Sequence, residues 1–374
     1  MSDEQAVQTV RLTPPGRSAV ATLLVTGPGA LREIDRCFRP STGLPLSSLP
    51  SSHSENRPVF GYFVAETSGT DVREEVVARR QQDGSVELHC HGGQAAISMI
   101  EDALTGTGGR RVDWKSWTRQ SQEDPITVAA RLALSKSQTE RTAAILLDQF
   151  QGALRLAMHR IERSLMSHQH DAAREQIETL LTRAHYGIHL TQPWQIVVAG
   201  SPNVGKSSLI NRLMGYRRAI VHEEAGTTRD LVTSSTTIGG WPVSLIDTAG
   251  LRQTAHSIEQ EGVALAAKAM AEADLTLWVV DARTPPPKSE KPTPWQDTPT
   301  MVVRNKCDLV SRESTADTPS SDDILVSALS GQGIEDLQRA IATHLVPDPP
   351  PPGAAVPFRN EELELLEAWL AKIP

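Results

Sequence analysis

The sequence predicts an α/β protein whose largest part is a doubly wound parallel sheet, and three observations carry that prediction. Short apolar runs recur with the length and composition of buried strands: Gln195 to Ala199, Val243 to Ile246, Leu275 to Val280 and Met301 to Arg304. Between the first run and a helix over Ser208 to Met214 lies the glycine loop Gly200-Ser201-Pro202-Asn203-Val204-Gly205-Lys206-Ser207. Leu209, Ile210, Leu213 and Met214 give that helix its apolar face, and Gly215 closes it. Polar motifs begin where three of the four runs end, at the carboxyl edge where open α/β sheets bind ligands. The run Leu275 to Val280 is followed by no such motif and reads as core.

The elements before and after this sheet divide the 374 residues into further parts. Residues 1–117 alternate apolar runs (Val20 to Val25, Val59 to Val64, Val86 to Leu88) with turn-rich stretches, which predicts a small α/β domain. Ser41 to Pro58, rich in Ser and Pro, reads as a loop. His89 and His91 share one strand face while Cys90 points away, a poor arrangement for a metal. Residues 118–190 read as a reduced helical domain. Ser137 with Glu140 suggests a capping box, followed by a long amphipathic stretch through Ala144, Leu147, Leu154, Met158, Ile161 and Leu165, and then a helix from Ala172 to Tyr186. The histidines His159, His168, His170, His185 and His189 lie among arginines, as a solvated face would have them. Thr191 to Trp194 leads into the sheet domain, 191–346. Within that domain the proline density of Arg283 to Thr300 forbids a helix. In 347–374 an extended proline-rich linker, Pro347 to Pro357, precedes one amphipathic helix from Asn360 to Ile373 with Leu363, Leu365, Leu366, Trp369 and Leu370.

Composition narrows the setting. Three cysteines, Cys37, Cys90 and Cys307, form neither an even set nor a C-x-x-C pair, which predicts a reducing, cytoplasmic environment. No apolar run is long enough to cross a membrane, and Met1-Ser2-Asp3-Glu4 does not open a secretion signal. A net charge of −8 argues against a broad nucleic-acid surface and leaves a local patch open.

The motifs together describe one guanine-nucleotide pocket. The glycine loop is a P-loop in its required strand–loop–helix context, whose backbone N–H groups (Val204, Gly205 and Ser208 included) and helix N-terminus cradle phosphate. Lys206 is expected at the β- and γ-phosphates and Ser207 on Mg²⁺. Thr227 and Thr228, within Gly226-Thr227-Thr228-Arg229-Asp230, form a switch loop in which the Thr228 hydroxyl joins Mg²⁺ when the γ-phosphate is present. Asp247-Thr248-Ala249-Gly250 places a metal-directed carboxylate at a strand end and a glycine beside the γ-phosphate. In Asn305-Lys306-Cys307-Asp308 the Asp308 carboxylate can accept both N1 and N2 protons of guanine, which adenine does not offer, and Ser327-Ala328-Leu329 completes the set. GTP and GDP are therefore the expected ligands. The residue that follows Gly250, Leu251, has no polar group to orient a water, so another group must supply what a glutamine supplies in Ras-type proteins.

These stretches resemble the tRNA-modification GTPase family MnmE (TrmE). The likeness runs through Ile220-Val221, Ala225 to Asp230, Asp247 to Arg252 and Val302 to Lys306. Outside the G domain it covers Thr13-Pro14-Pro15-Gly16-Arg17, Glu87-Leu88-His89-Cys90-His91-Gly92-Gly93 and Gln149 to Leu154. The resemblance implies a potassium ion beside the phosphates, held by Asn203 and by carbonyls of His222, Glu224 and Thr227, and a water-orienting Glu259. Without the resemblance Glu259 reads as a solvated carboxylate at a helix start. Asn203, Lys206 and Glu259 are thus the expected catalytic residues. The resemblance also implies tRNA and the flavoprotein MnmG as partners, a homodimer through the N-terminal domain, and a role in wobble-uridine modification with a formyl-tetrahydrofolate donor. Glu87 matches that family's folate glutamate. Leu24 stands at its arginine position, its first lysine motif is replaced near Arg119 to Pro125, and its terminal lysine and cysteine motif have no counterpart, so folate binding and full modification are not expected. Two alternatives remain open at this point: a GTP-dependent switch or scaffold with negligible turnover, and a ribosome-assembly GTPase.

Overall fold

The computed structural model describes residues 6–48, 57–67, 70–106, 108–120, 123–215, 233–247, 271–284, 299–310 and 323–374. Two compact units divide the chain, residues 1–122 and 123–374.

The first unit is built on strands β1 (Gln8–Arg11), β2 (Val20–Thr26), β3 (Phe38–Pro40), β4 (Val59–Thr67), β5 (Thr70–Arg80), β6 (Val86–His91) and β7 (Arg110–Val112), with helices α1 (Ala30–Cys37), α2 (Gln94–Thr105) and α3 (Trp114–Arg119). Their order in one sheet is β3-β4-β5-β6-β2-β1-β7; β1 and β7 are parallel and the other pairs antiparallel. Alternation decides which side is core. Ala21, Leu23 and Val25 of β2 and Val86, Leu88 and Cys90 of β6 bury themselves with Ile34 of α1 and Ile97, Ile100 and Leu104 of α2. Burial pushes the Cys90 thiol up to about 11. His89 and His91 lie on the opposite face, where His89 Nδ1 is 3.0 Å from Thr22 Oγ1 and His91 Nδ1 is 2.6 Å from Glu74 Oε1. The expected loop after Ser41 contains one short 3₁₀ turn, Leu46–Ser48, because Leu46 is fully buried and its N–H bonds to Asp35 Oδ1 at 2.7 Å.

In the second unit a helical layer comes first: α4 (Pro125–Leu134), α5 (Glu140–Phe150), α6 (Ala153–Met166) and α7 (His170–Gly187). Two sequence expectations are corrected here. The capping box is made by Thr139 and Thr142 rather than Ser137 and Glu140; each threonine side chain bonds to the other's backbone N–H, at 3.2 and 3.3 Å, while Ser137 Oγ turns back to Leu134 O. The long amphipathic stretch is two helices, because Gly152 adopts φ 105° between them.

The sheet of this unit uses β8 (Trp194–Gly200), α8 (Lys206–Met214), β9 (Thr233–Ile238), β10 (Trp241–Asp247), β11 (Leu275–Asp281), β12 (Thr300–Asn305), β13 (Ile324–Leu325) and α9 (Ile334–Leu345). Strand order is β13-β12-β11-β8-β10-β9, parallel except for the β9–β10 hairpin. The order reverses at β8, so its carboxyl end opens the crevice that such sheets offer a ligand. After α9 the chain runs through the proline-rich segment to α10 (Asn360–Leu370). That segment is a docked strap. Val356 is fully buried, and its N–H and the Ala354 carbonyl both bond to the buried Gln149 side chain of α5. Composition indicates extended backbone; it does not indicate whether that backbone has a groove to lie in.

Candidate functional site

Carboxyl ends of three parallel strands of this sheet bring the motifs together. β8 ends in the P-loop, β10 ends in Asp247, and β12 ends in Asn305. The loop turns into α8 through Asn203 at φ 63° and Gly205 at φ 93°. Gly205 is required twice over: a Cβ there would meet Asn305 Nδ2 at 2.4 Å, and its φ is left-handed.

Lys206 is 8% exposed, and its ammonium donates to Gly200 O at 3.0 Å and Ser201 O at 2.9 Å. It is folded into the loop whose amides cradle phosphate in such a motif, and phosphoryl oxygens are stronger acceptors than these carbonyls. Ser207 Oγ donates to Asp247 Oδ2 at 2.8 Å. A hydroxyl and a carboxylate at that distance, at a helix N-terminus beside the P-loop, are hard oxygen donors of the kind Mg²⁺ takes, so these residues fit the ion. Val204 is buried and its carbonyl accepts from Asn305 Nδ2 at 2.8 Å, while Ser208 is exposed one residue beyond Ser207.

The base side is fixed from Asn305, which is 2% exposed. Its amide spans two loops, donating to Val204 O and accepting from Ala328 N at 3.0 Å. Lys306, at φ 67°, donates to Asn203 O at 2.7 Å and to Asp281 Oδ2 at 3.0 Å. Asp308 is exposed on a 3₁₀ turn, Cys307–Leu309. Ser327 is fully buried and its hydroxyl accepts from Ser330 N at 3.1 Å; Leu329 is 82% exposed. Arg212 of α8 holds the carbonyls of Ala328, at 3.0 Å, and Leu329.

Sequence reasoning missed Asp281 and Arg212. The strand read as core alone extends one residue to Asp281, whose carboxylate accepts from Arg283 Nε at 2.9 Å and Nη2 at 2.8 Å as well as from Lys306. The Arg283 hydrogen bonds, with Lys306 behind them, hold this carboxyl well below the usual carboxylate range against the opposing effect of burial. An acidic residue closing an apolar strand beside a lysine-bearing loop was the available signal.

Thr227, Thr228, Thr248, Ala249, Gly250 and Leu251, the potassium carbonyls of His222 and Glu224, and Glu259 lie outside the described residues. Glu87 belongs to the other compact unit, on β6, with Arg79 Nη1 at 3.6 Å and His89 Nε2 at 3.8 Å. Leu24 is its partner across the strands and is 6% exposed. A cavity of about 1140 Å³ opens beside α5, the end of α8, the β9–β10 turn and Pro349 to Pro352; Arg212 lines it, and none of the nucleotide motifs does.

The family described as 50S ribosome-binding GTPase matches residues 195–306, which spans the P-loop, Asp247 and the start of the base motif. Longer relatives match nearly the whole chain. The tRNA modification GTPase MnmE of Chlamydia trachomatis serovar L2 is 32% identical over 361 residues, covering 88% of this chain and 79% of that protein. The protein of the same name from Moorella thermoacetica is 30% identical with the same coverage, and that of Akkermansia muciniphila is 29% identical over 91% of this chain and 81% of its own. The sheet that gathers these motifs is thus a P-loop GTPase domain, and the chain belongs to the MnmE family of tRNA modification GTPases.

Proposed function

We propose that this chain hydrolyses GTP with Mg²⁺ at Ser207 and Thr228 and is activated by K⁺, that it acts in tRNA modification, as the names of its relatives suggest, and that tRNA and an MnmG-like protein are its partners. The observation that carries the reading is the convergence of Lys206, Ser207 and Asp247 on one edge of the sheet, with Asn305 tying the base loop to the phosphate loop.

Chemically, the residues divide the work. Lys206 exchanges two carbonyls for phosphoryl oxygens and counters charge on them. Ser207, with Asp247 behind it, would hold Mg²⁺, which supplies charge neutralisation at the phosphates when bound. Asp308 selects guanine through paired acceptors. Leu251 brings no polar group, so Glu259 would orient the attacking water, and Asn203, exposed at the P-loop bend, would hold K⁺ with the carbonyls of His222, Glu224 and Thr227. Such a cation would supply charge neutralisation at the phosphates, as an arginine finger does.

Turnover measured in KCl and in NaCl tests this. Hydrolysis should rise in K⁺, and Asn203→Ala or Glu259→Ala should lower turnover by about tenfold while sparing GTP affinity, because each acts at the transition state. Cation-independent turnover, indifferent to both changes, would overturn the potassium reading. Folate is left out of the proposal. Leu24 offers no polar atom, and Glu87 already has Arg79 and His89 at hand. Each absent charge-assisted bond is worth roughly 1.5–3 kcal/mol. Micromolar binding of formyl-tetrahydrofolate in a calorimetric titration would reverse that exclusion.

A further inference from the structure

Three non-glycine residues among those described have positive φ: His168, Asn203 and Lys306. Two of the three are at the nucleotide site, and they are bonded to each other, Lys306 Nζ to Asn203 O at 2.7 Å. Left-handed backbone comes readily to Asn203 but costs about 1–2 kcal/mol at a residue such as Lys306, so at Lys306 the surroundings must offset it. A carboxylate that meets the Lys306 side chain lies on β11. Asp281 is paired in register with Asn305, which places its carboxylate beside the next residue, Lys306, at 3.0 Å.

That carboxylate is itself immobilised. Arg283 grips it through two side-chain N–H bonds and one backbone N–H at 3.0 Å, and Ala282 N donates to Asn305 O at 2.7 Å. The turn is held from below by Arg304, which is 5% exposed and donates to Ala282 O at 3.2 Å and Thr284 O at 2.9 Å. An ion pair whose lysine is 28% exposed and whose carboxylate is 12% exposed would contribute little by proximity alone. Here the carboxylate is fixed by Arg283 before the lysine reaches it, so the bond directs the ammonium.

We propose that Asp281 is the positioning residue of the nucleotide site: it holds Lys306 against the Asn203 carbonyl and so fixes the base loop and the bend of the P-loop together. Asp281 makes no contact with the nucleotide in this scheme. Its effect on GDP binding follows from the Lys306 geometry alone. Its effect on the Asn203 side chain rests on the potassium reading given above.

The test is a double-mutant cycle on the full chain, with fluorescent GDP titrated in sodium buffer. Asp281→Asn should raise the dissociation constant about tenfold, the loss expected when a charge-assisted bond becomes neutral. Lys306→Met should also raise it, and the double variant should be no worse than the weaker single one. Asp281→Asn within about twofold of wild type, or two effects that simply multiply, would overturn the assignment. Should the asparagine variant fail to fold, Asp281→Ser carries the same test, because serine can still accept the Arg283 N–H and keep the turn but cannot reach Lys306. Hydrolysis in KCl against NaCl separates the two layers of the argument. A stimulated wild type with an unstimulated Asp281→Asn supports positioning through Asn203, and equal stimulation of both overturns that part. An unstimulated wild type overturns the potassium reading and leaves the GDP cycle to decide on Asp281.

Discussion

The two ends of the second sheet are held together by different chemistry. At the carboxyl end, loops are tied by side chains reaching backbone: Asn305 to Val204 and Ala328, Lys306 to Asn203, Arg212 to Ala328. At the amino end the ties are mostly packing. Trp194, where β8 begins, stacks on His189 at 3.5 Å, and Trp241, where β10 begins, lies under Arg141 at 5.5 Å and near Tyr186 at 6.1 Å. Between β9 and β10 the turn residues Gly239 and Gly240 have φ 58° and 86°, the pattern of a two-residue hairpin with both central residues left-handed. Thr139 Oγ1 donates to Gly240 O at 2.7 Å, so the helix cap that replaced the expected one also anchors this hairpin. One end is therefore organised for a ligand and the other for the helical layer. Changes at the first should alter nucleotide affinity more than stability, and changes at the second the reverse.

The largest expected effect is at the carboxyl end. Lys206→Ala should weaken GTP binding by about a hundredfold or more, since its charge-assisted bonds to two phosphates are lost. Asn305→Ala should approach that loss and also lower Tm, because Val204 O and Ala328 N become unpaired, at roughly 1–3 kcal/mol each. Equilibrium titration with a fluorescent nucleotide, set beside thermal melts, checks both. An Asn305→Ala variant that loses stability but binds GDP normally would break the contrast between the two ends.

Specificity gives a sharper test at the same end. Asp308→Asn converts an acceptor into a group that also donates, so preference should move from guanine toward xanthine nucleotides by about tenfold or more. Competition between GDP and XDP reads this directly. Unchanged preference would mean that guanine is chosen by a residue other than Asp308.

The carboxyl end was legible in the sequence because parallel strands gather their ends on one edge, so short motifs far apart in the chain could be assigned to one pocket. Strand β8, helix α8, Asp247 and Asn305 all follow from apolar runs and the polar residue that terminates each. Asp281 was not legible, since a carboxylate after Val280 has no motif, and its meaning comes from its register with Asn305. At the amino end almost nothing could be foreseen. The Gly239-Gly240 hairpin was not anticipated, and nothing in the sequence says that Thr139 and Ala342 close on it. The strap was read from proline content as a linker; its groove exists only once α5 and α7 have packed, with Gln149 buried and Arg183 Nη1 donating to Ala355 O at 3.2 Å.

A middle-sized effect is expected at the amino end. A Cβ on Gly239 would lie 2.6 Å from Ala342 Cβ, and φ 58° already disfavours a side chain. Gly239→Ala should therefore destabilise the second unit by about 1–3 kcal/mol through overpacking, with GDP affinity unchanged. A variant that melts like wild type, or that loses nucleotide before it loses structure, would show that the two ends are not distinct in the way proposed.

The smallest effect concerns His189. Burial lowers its pKa below the usual imidazole value, Asp274 Oδ1 at 3.7 Å works against that, and His185 adds to it. The folded state therefore binds its proton less readily than the unfolded chain. Its stabilising contribution is complete above about pH 6.5, where both forms are neutral, and it declines as pH falls from there toward the depressed value. Burial raises Glu362 on α10, so that group prefers its proton in the folded state, and acidification through its range acts in the opposite direction. The wild-type melting curve alone would mix the two. Melting His189→Gln beside wild type at each pH isolates the histidine: the gap between their melting temperatures should shift against wild type as pH falls from 7.5 to 5.5. Wild type should lose more on acidification, while fluorescent GDP titrations at both pH values should show the same affinity ratio for the two proteins. Parallel melting curves would mean that the imidazole stacked on Trp194 accepts its proton without disturbing the amino end of the sheet.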